Sequence, residues 1–305
     1  MIAAEGVDSG LQTTTITALE RIGCNVFHAS SCSQSQDALG HPSIAKALEQ
    51  ADFVVDLTGN LSESPAISEH MKDLRILVLN CNDVPELNRL VVSSGVARRA
   101  QALDRLAASS QEFKIQSGLG SILSAGFSAA QCNAETGIAS QTGQTAKWPS
   151  GIFHITFEEK QVSGELVLMP GDIFMQAQRI ISAPVHLEIE NGNLVEILGD
   201  STDANLIRAQ LEIEHDANLA YRLRGASLGL NLIRGNIDES PFDHARLGLG
   251  RGCHAAGSCS VHVGSSTTLT LTTATAMFDS QMVCELGDLS GSIQPDPYEK
   301  NAAGI

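Results

Sequence analysis

Two short runs, Phe53-Val54-Val55-Asp56-Leu57 and Ile76-Leu77-Val78-Leu79, are apolar nearly throughout. A strand with one wet face alternates apolar and polar residues. A run without alternation is expected of a strand covered on both faces, as in a parallel sheet flanked by helices. The surrounding sequence agrees. Ile2-Ala3-Ala4 reads as a short first strand, and residues 11–22 as a helix with Leu11, Ile16, Leu19 and Ile22 near one face, stopped by Gly23. Cys24 to Phe27 reads as the next strand, and His41-Pro42-Ser43 opens a short helix to Gln50. A polar helix around Pro65 to Lys72 and a helical stretch from about 96 to 108 complete the βαβ rhythm. Residues 1–115 are therefore expected to form an α/β domain with an open, mostly parallel sheet.

Beyond residue 115 the pattern changes. Gly118, Gly120, Gly126, Gly137, Gly143 and Gly151 punctuate a stretch with little apolar periodicity, so 116–150 reads as linker and domain junction. Residues 151–305 read as a β-rich domain of α+β class, mainly antiparallel. Its clearest element is Val185-His186-Leu187-Glu188-Ile189-Glu190, then Asn191-Gly192, then Asn193-Leu194-Val195-Glu196-Ile197-Leu198. Alternating runs around Asn-Gly are the strongest short-range signal of a hairpin. A helix is expected from about Asp203 to Leu219, a long strand from Thr267 to Met277, and a frayed tail from Pro295 to Ile305.

Charge limits what such a chain can bind. Nineteen Lys plus Arg against 35 Asp plus Glu give a net charge of −16. A surface that acidic repels phosphate backbones and anionic lipid, so neither nucleic acid nor a membrane is an expected partner, and a small-molecule substrate is. No run of 18 apolar residues occurs, and Met1 to Gly10 carries Glu5 and Asp8 with no basic region, unlike a secretory signal. The seven scattered cysteines then read as free thiols in a reducing cytoplasm.

Phosphate-binding patterns are missing: there is no Walker sequence, and only Gly6 and Gly10 follow the first strand. Gly248-Leu249-Gly250-Arg251-Gly252 lies among strands and opens no helix. Gly225-Ala226-Ser227-Leu228-Gly229 matches G-x-S-x-G, but the nucleophile elbow needs a helix after the serine, and Leu230-Asn231-Leu232-Ile233 reads as more strand. The histidines carry more. His244, His254 and His262 fall within 19 residues, with Asp238, Glu239 and Asp243 just upstream. Two imidazoles and a carboxylate on one face are the minimum set for a non-haem Fe(II) site with open positions; the same residues in a polar glycine-rich region also suit ordinary surface groups. His154 and His186, each between apolar neighbours, read as polar-face strand residues, His215 as a solvated helix residue, and Glu158-Glu159-Lys160 as a solvated turn.

The segment Gly143-Gln144-Thr145-Ala146-Lys147-Trp148-Pro149-Ser150-Gly151 leads into Ile152-Phe153, Val162-Ser163-Gly164-Glu165-Leu166-Val167-Leu168 and Pro170-Gly171-Asp172. With Leu194 to Gly199, Leu247-Gly248-Leu249-Gly250 and Val261-His262-Val263-Gly264 following in order, the chain resembles the 2,5-dihydroxypyridine 5,6-dioxygenases, relatives of the aminopeptidase T metallopeptidases. The resemblance spans about 120–290. It implies an N-terminal open α/β domain, a β-rich C-terminal domain carrying the metal, a homo-oligomer, and Fe(II)-dependent opening of a hydroxylated pyridine ring. The family's His-x-Asp ligand pair is matched best by Met277-Phe278-Asp279, which keeps the carboxylate and replaces the imidazole with a thioether, a poor ligand for a hard divalent metal. The peptidases' Glu after the Pro-x-Gly turn is replaced by Ile152.

Three readings follow. In the first, a ring-opening enzyme acts on a small hydroxylated N-heterocycle with Fe(II). His244 and His262 would be ligands, Asp243 or Asp279 the carboxylate, His254 an acid/base, and Arg246 or Arg251 the holder of a substrate anion. The second is a metal-free hydrolase or lyase of a small cyclic substrate, with Ser266 and Thr268, just past His262, as nucleophile or substrate-binding hydroxyls. The third is a non-catalytic binding or assembly subunit with a degenerate site.

Overall fold

The structure, a computed structural model, describes residues 1–4, 8–31, 42–59, 61, 70–79, 81, 83–89, 95–148, 150–214, 219–232 and 256–303. In chain order its strands are β1 (Ile2–Ala4), β2 (Ala29–Ser31), β3 (Phe53–Asp56), β4 (Arg75–Leu79), β5 (Glu112–Gln116), β6 (Ile122–Phe127), β7 (Asn133–Glu135), β8 (Thr145–Trp148), β9 (Ile152–Leu168), β10 (Ile173–Phe174), β11 (Arg179–Ile180), β12 (Val185–Glu190), β13 (Asn193–Leu198), β14 (Leu223–Gly229), β15 (Cys259–Val263), β16 (Thr267–Leu271), β17 (Thr275–Phe278), β18 (Gln281–Glu285) and β19 (Asp288–Leu289). The helices are α1 (Ser9–Arg21), α2 (Pro42–Leu48), α3 (Val84–Arg89), α4 (Val96–Ala108), α5 (Thr202–Glu212) and α6 (Pro297–Ala303). Residues 1–92 with 135–150 form one compact unit, and 93–134 with 151–305 the other.

The first unit is the expected parallel sheet, in the order β2-β1-β3-β4-β8. Its apolar runs are covered on both faces. Val54, Ile76 and Val78 pack with Leu48, Leu61 and Leu74, while Val55, Leu57 and Leu79 pack with Leu11 and Cys81. Asp8 caps α1 by accepting from the Leu11 amide at 2.8 Å. The strand expected at Cys24 to Phe27 forms instead at Ala29–Ser31. Most of the expected polar helix at 65–72 lies outside the described residues.

The division of the chain differs from boundaries at 115 and 150. Residues 135–150 return to the first unit, where β8 adds to β4 in parallel (Ile76 opposite Thr145). Helix α4 belongs to the second unit because Ala100, Leu103, Leu106 and Ala107 enter its core. Three of the glycines of 116–150, Gly120, Gly137 and Gly143, take positive φ in the connections between strands, whereas Gly126 lies inside β6.

The second unit is an antiparallel ladder ordered β11-β10-β16-β15-β14-β9-β6-β5-β17-β18-β19, with β12 and β13 branching from β9. Strand β9 is long enough to change partners along its length: residues 152–156 pair with β14 and residues 164–168 with β12, while β6 pairs with it between Phe157 and Gly164. Between them Lys160 takes φ 67°, so Glu158-Glu159-Lys160 interrupts a continuous strand, with Glu159 ion-paired to Arg222. The hairpin β12–β13 forms as expected, and positive φ at both Asn191 and Gly192 matches the twist of a type I′ turn. The expected long strand from Thr267 is two strands, β16 and β17. Asp172 accepts from the amide and hydroxyl of Thr272 and turns the chain away there. Helix α5 ends at Glu212, short of Leu219.

The tail is not frayed through its helix. Glu299 of α6 is buried, its Oε2 3.0 Å from both Arg98 Nη2 and Arg99 Nη1. Among the described residues, no helix is long and apolar enough to cross a membrane, and Cys24, Cys81, Cys132, Cys259 and Cys284 are free thiols.

Candidate active site

Four adjacent strands of the second unit build the candidate site from a simple alternation. Phe153 and Ile155 of β9, Ala226 and Leu228 of β14, Val261 and Val263 of β15, and Leu269 and Leu271 of β16 all enter the apolar core. Side chains alternate across a strand, so the residues between them share the other face: His154, Ser227, Ser260, His262, Thr268 and Thr270. The register brings them together, with Ser227 opposite both His154 and Ser260, His262 opposite Thr268, and Ser260 opposite Thr270.

Hydrogen bonds tie the face into a network. His262 Nδ1 lies 3.1 Å from Thr268 Oγ1, and His262 Nε2 lies 3.1 Å from Ser227 Oγ. Ser260 and Thr270 share a bond of 2.7 Å. The His154 and His262 ring centroids are 6.4 Å apart. Burial grades along the face. Ser227, Ser260 and Thr270 are almost fully covered, whereas His154, His262 and Thr268 are partly open. Burial, then the neighbouring His154 and Arg224, push the His262 imidazole down to about 4, so near neutral pH it is uncharged and offers one N–H and one lone pair. At Gly225, opposite His262, β14 approaches β9 too closely for any side chain: a Cβ would sit 2.2 Å from the Ile155 carbonyl oxygen.

Of the residues singled out from sequence that are among the described ones, only His262 and Thr268 meet. Ser266 instead donates to Glu214 Oε1 at 2.6 Å in the exposed β15–β16 turn. The Ser265 and Ser266 hydroxyls hold the Glu214 carboxyl down to about 2. Asp279 sits in the β17–β18 turn, where its Oδ1 accepts from the Gln111 and Glu112 amides at 3.2 and 3.0 Å. Its strand lies five places along the ladder from β15, and the structure does not bring it to His262. Asp243, His244, Arg246, Arg251 and His254 lie outside the described residues, as do His215 and Gly248 to Gly252. His186 bonds Glu165 Oε1 at 2.8 Å on a different part of the sheet. Ser227 and His154 were not assigned to a site from sequence. The usable signal was the repeated apolar-His-apolar phase of Phe153-His154-Ile155 and Val261-His262-Val263.

The chain is thus a two-unit protein, one unit a parallel α/β sheet and the other a mainly antiparallel β ladder that carries the polar face. Residues 2–232 match the family described as NicX: 2,5-dihydroxypyridine 5,6-dioxygenase. The chain belongs to that family, an enzyme family of ring-opening dioxygenases acting on a hydroxylated pyridine. Its fold is similar to the solved 2,5-dihydroxypyridine dioxygenase of Pseudomonas putida, with TM-score 0.76 and 23% identity over 95% of this chain and 90% of that one. It is also similar to AmpT from Thermus thermophilus, with TM-score 0.53 and 10% identity over 95% and 94% of the two chains. No curated protein sequence matches it significantly.

The iron implied by the family resemblance can be tested against the donors. Among the described residues, no three His, Cys, Asp or Glu side chains converge to hold a metal ion. Both nitrogens of His262 face hydroxyl groups, and the Asp279 carboxylate accepts from a backbone turn. The described donor set does not fit a ferrous centre of two imidazoles and a carboxylate.

Proposed function

We propose that the chain is a ring-opening, dioxygenase-like enzyme for a small hydroxylated N-heterocycle, bound at the open end of the polar face of β9, β14, β15 and β16. The observation that supports this reading is the neutral His262 set between hydroxyls on the partly open end of an otherwise buried polar face. A hydroxypyridine presents alternating donors and acceptors around a flat ring. An uncharged imidazole and rotatable hydroxyls answer either kind, whereas a fixed charge would answer one. His262 and Thr268 would hold the ring's polar edge, with His154 beside them. Fe(II), when bound, would supply oxygen activation; the described residues do not provide its ligands.

The test is anaerobic purification with and without added Fe(II), followed by aerobic addition of 2,5-dihydroxypyridine. Loss of the aromatic absorbance with equimolar oxygen uptake is the expected result. His262→Gln should lower kcat/KM by about 10²-fold or more, the usual cost of removing a positioned proton-handling group. Unchanged absorbance with folded, iron-supplemented protein, across hydroxylated pyridines and catechols, would retire this reading.

A further inference from the structure

The G-x-S-x-G stretch forms no elbow: Ser227 lies inside strand β14, which runs to Gly229. Yet the antiparallel register puts its hydroxyl against an imidazole supplied by the neighbouring strand. We propose that Ser227 and His262 are a nucleophile–base pair giving the protein a second, hydrolytic activity, the metal-independent and oxygen-independent opening of small cyclic amides and esters.

Three features carry this. The Ser227 Oγ to His262 Nε2 separation is 3.1 Å, within proton-transfer reach. The base is oriented by a third group, because Thr268 Oγ1 lies 3.1 Å from Nδ1; when that hydroxyl accepts from Nδ1–H, the Nε2 lone pair faces Ser227. Finally, the pair spans the gradient of burial on its face. Ser227 is 1% exposed, whereas His262, His154 and Thr268 are partly open, so the imidazole stands between the open end of the face and the covered hydroxyl, and hydrolysis requires the open end to admit a small flat ring as far as Ser227. Among the described residues no carboxylate bonds either member of the pair, which suits a small neutral substrate, and 2-hydroxypyridines themselves tautomerise to cyclic amides.

The step balances without an added oxidant. Ser227 Oγ bonds to the carbonyl carbon as its proton passes to His262 Nε2. The ring C–N or C–O bond then breaks, and that proton goes to the leaving nitrogen or oxygen. Water adds to the acyl-serine, with His262 taking and returning one proton, and the free serine and a ring-opened acid result.

The experiment uses the full chain under argon with a chelator, so that the oxygen-dependent reaction is silent. A small alkyl fluorophosphonate is added and the adduct located by peptide mass spectrometry, in parallel with turnover of δ-valerolactone and 2-piperidone. The expected results are an adduct on Ser227, chelator-resistant hydrolysis of at least one substrate, and labelling slowed by about 10²-fold or more in His262→Gln. Labelling of the unaltered protein decides the matter even if Ser227→Ala fails to fold; Ser227→Cys with iodoacetamide provides the second variant. No adduct on Ser227 together with no chelator-resistant turnover overturns the proposal, as does labelling indifferent to His262. Ring opening of dihydroxypyridine in air is read separately, so either activity can fail while the other stands.

Discussion

Replacing Glu299 by Ala would remove an ion-pair partner of a fully buried guanidinium. The Arg99 side chain is 0% exposed and that of Glu299 4%. Glu299 Oε2 accepts from Arg99 Nη1 at 3.0 Å, from Arg98 Nη2 at 3.0 Å and from the Asp296 amide at 2.9 Å. Arg99 Nε donates to the Leu230 carbonyl oxygen at 2.9 Å, joining α4 to the chain just after β14. Burial pushes the Arg99 guanidinium down from its ordinary value, and Glu299 is the main opposing influence. Breaking a buried pair by deleting one partner costs about 3–5 kcal/mol, because the other charge stays desolvated. A unit of this size loses about 2–4 °C of Tm per kcal/mol, so Glu299→Ala should lower the transition of the second unit by about 6–20 °C. Differential scanning calorimetry measures it. Arg98→Ala is the control: its side chain is 45% exposed, and the loss should stay below about 1 kcal/mol. Arg99→Met with Glu299→Leu should recover most of the loss, since an apolar pair leaves no stranded charge. A Tm for Glu299→Ala within a degree of the parent would refute the reasoning, for Arg99 would then have another way to satisfy its charge.

The pH dependence has a definite sign. With its pKa held down to about 4 from an ordinary 6.5, His262 binds a proton more readily unfolded than folded between those values. Stability therefore rises with pH across that window and is lost as pH falls through it, by about 3 kcal/mol in all; urea unfolding from pH 4 to 7 should show a slope that His262→Gln lacks. Gly225→Ala should destabilise by about 1–3 kcal/mol or more, because the Ile155 carbonyl occupies the space and belongs to a paired backbone; parent-like stability would show that β14 can move away from β9. Asp279→Ala should cost about 1 kcal/mol by leaving two turn amides without their acceptor, with metal content unchanged. A parallel loss of bound metal would restore Asp279 as a ligand.

What the sequence made legible was local. The apolar runs at Val54 and Ile76 reported burial on both faces, and Asn191-Gly192 reported a turn with two positive φ values, because in each case the determining residues are neighbours in the chain. Residues 135–150 carry no such mark: whether Thr145–Trp148 adds to β4 depends on a strand 69 residues earlier in the chain, with Ile76 opposite Thr145. Glu299 was hidden for the same reason, its arginines lying 200 and 201 residues away.

The site shows the limit most clearly. His154, Ser227 and His262 are scattered over more than a hundred positions: from sequence His154 reads as a polar-face strand residue, Ser227 as the serine of a G-x-S-x-G match without its helix, and His262 as one of a histidine cluster. Only the register, with Ser227 opposite His154 on one side and Ser260 on the other, turns four separate alternations into one face. That face is then partly covered, so hydroxyls and imidazoles that would cost nothing in water must satisfy one another, as His262 does with both ring nitrogens. A spacing search around His262 looks along the chain, toward Ser266 and Thr268, whereas in a sheet the nearest groups lie across it. Thr268 is found by both routes because the β15–β16 connection is short; Ser227, on the other side of β15 and 35 residues away, is found only by the second.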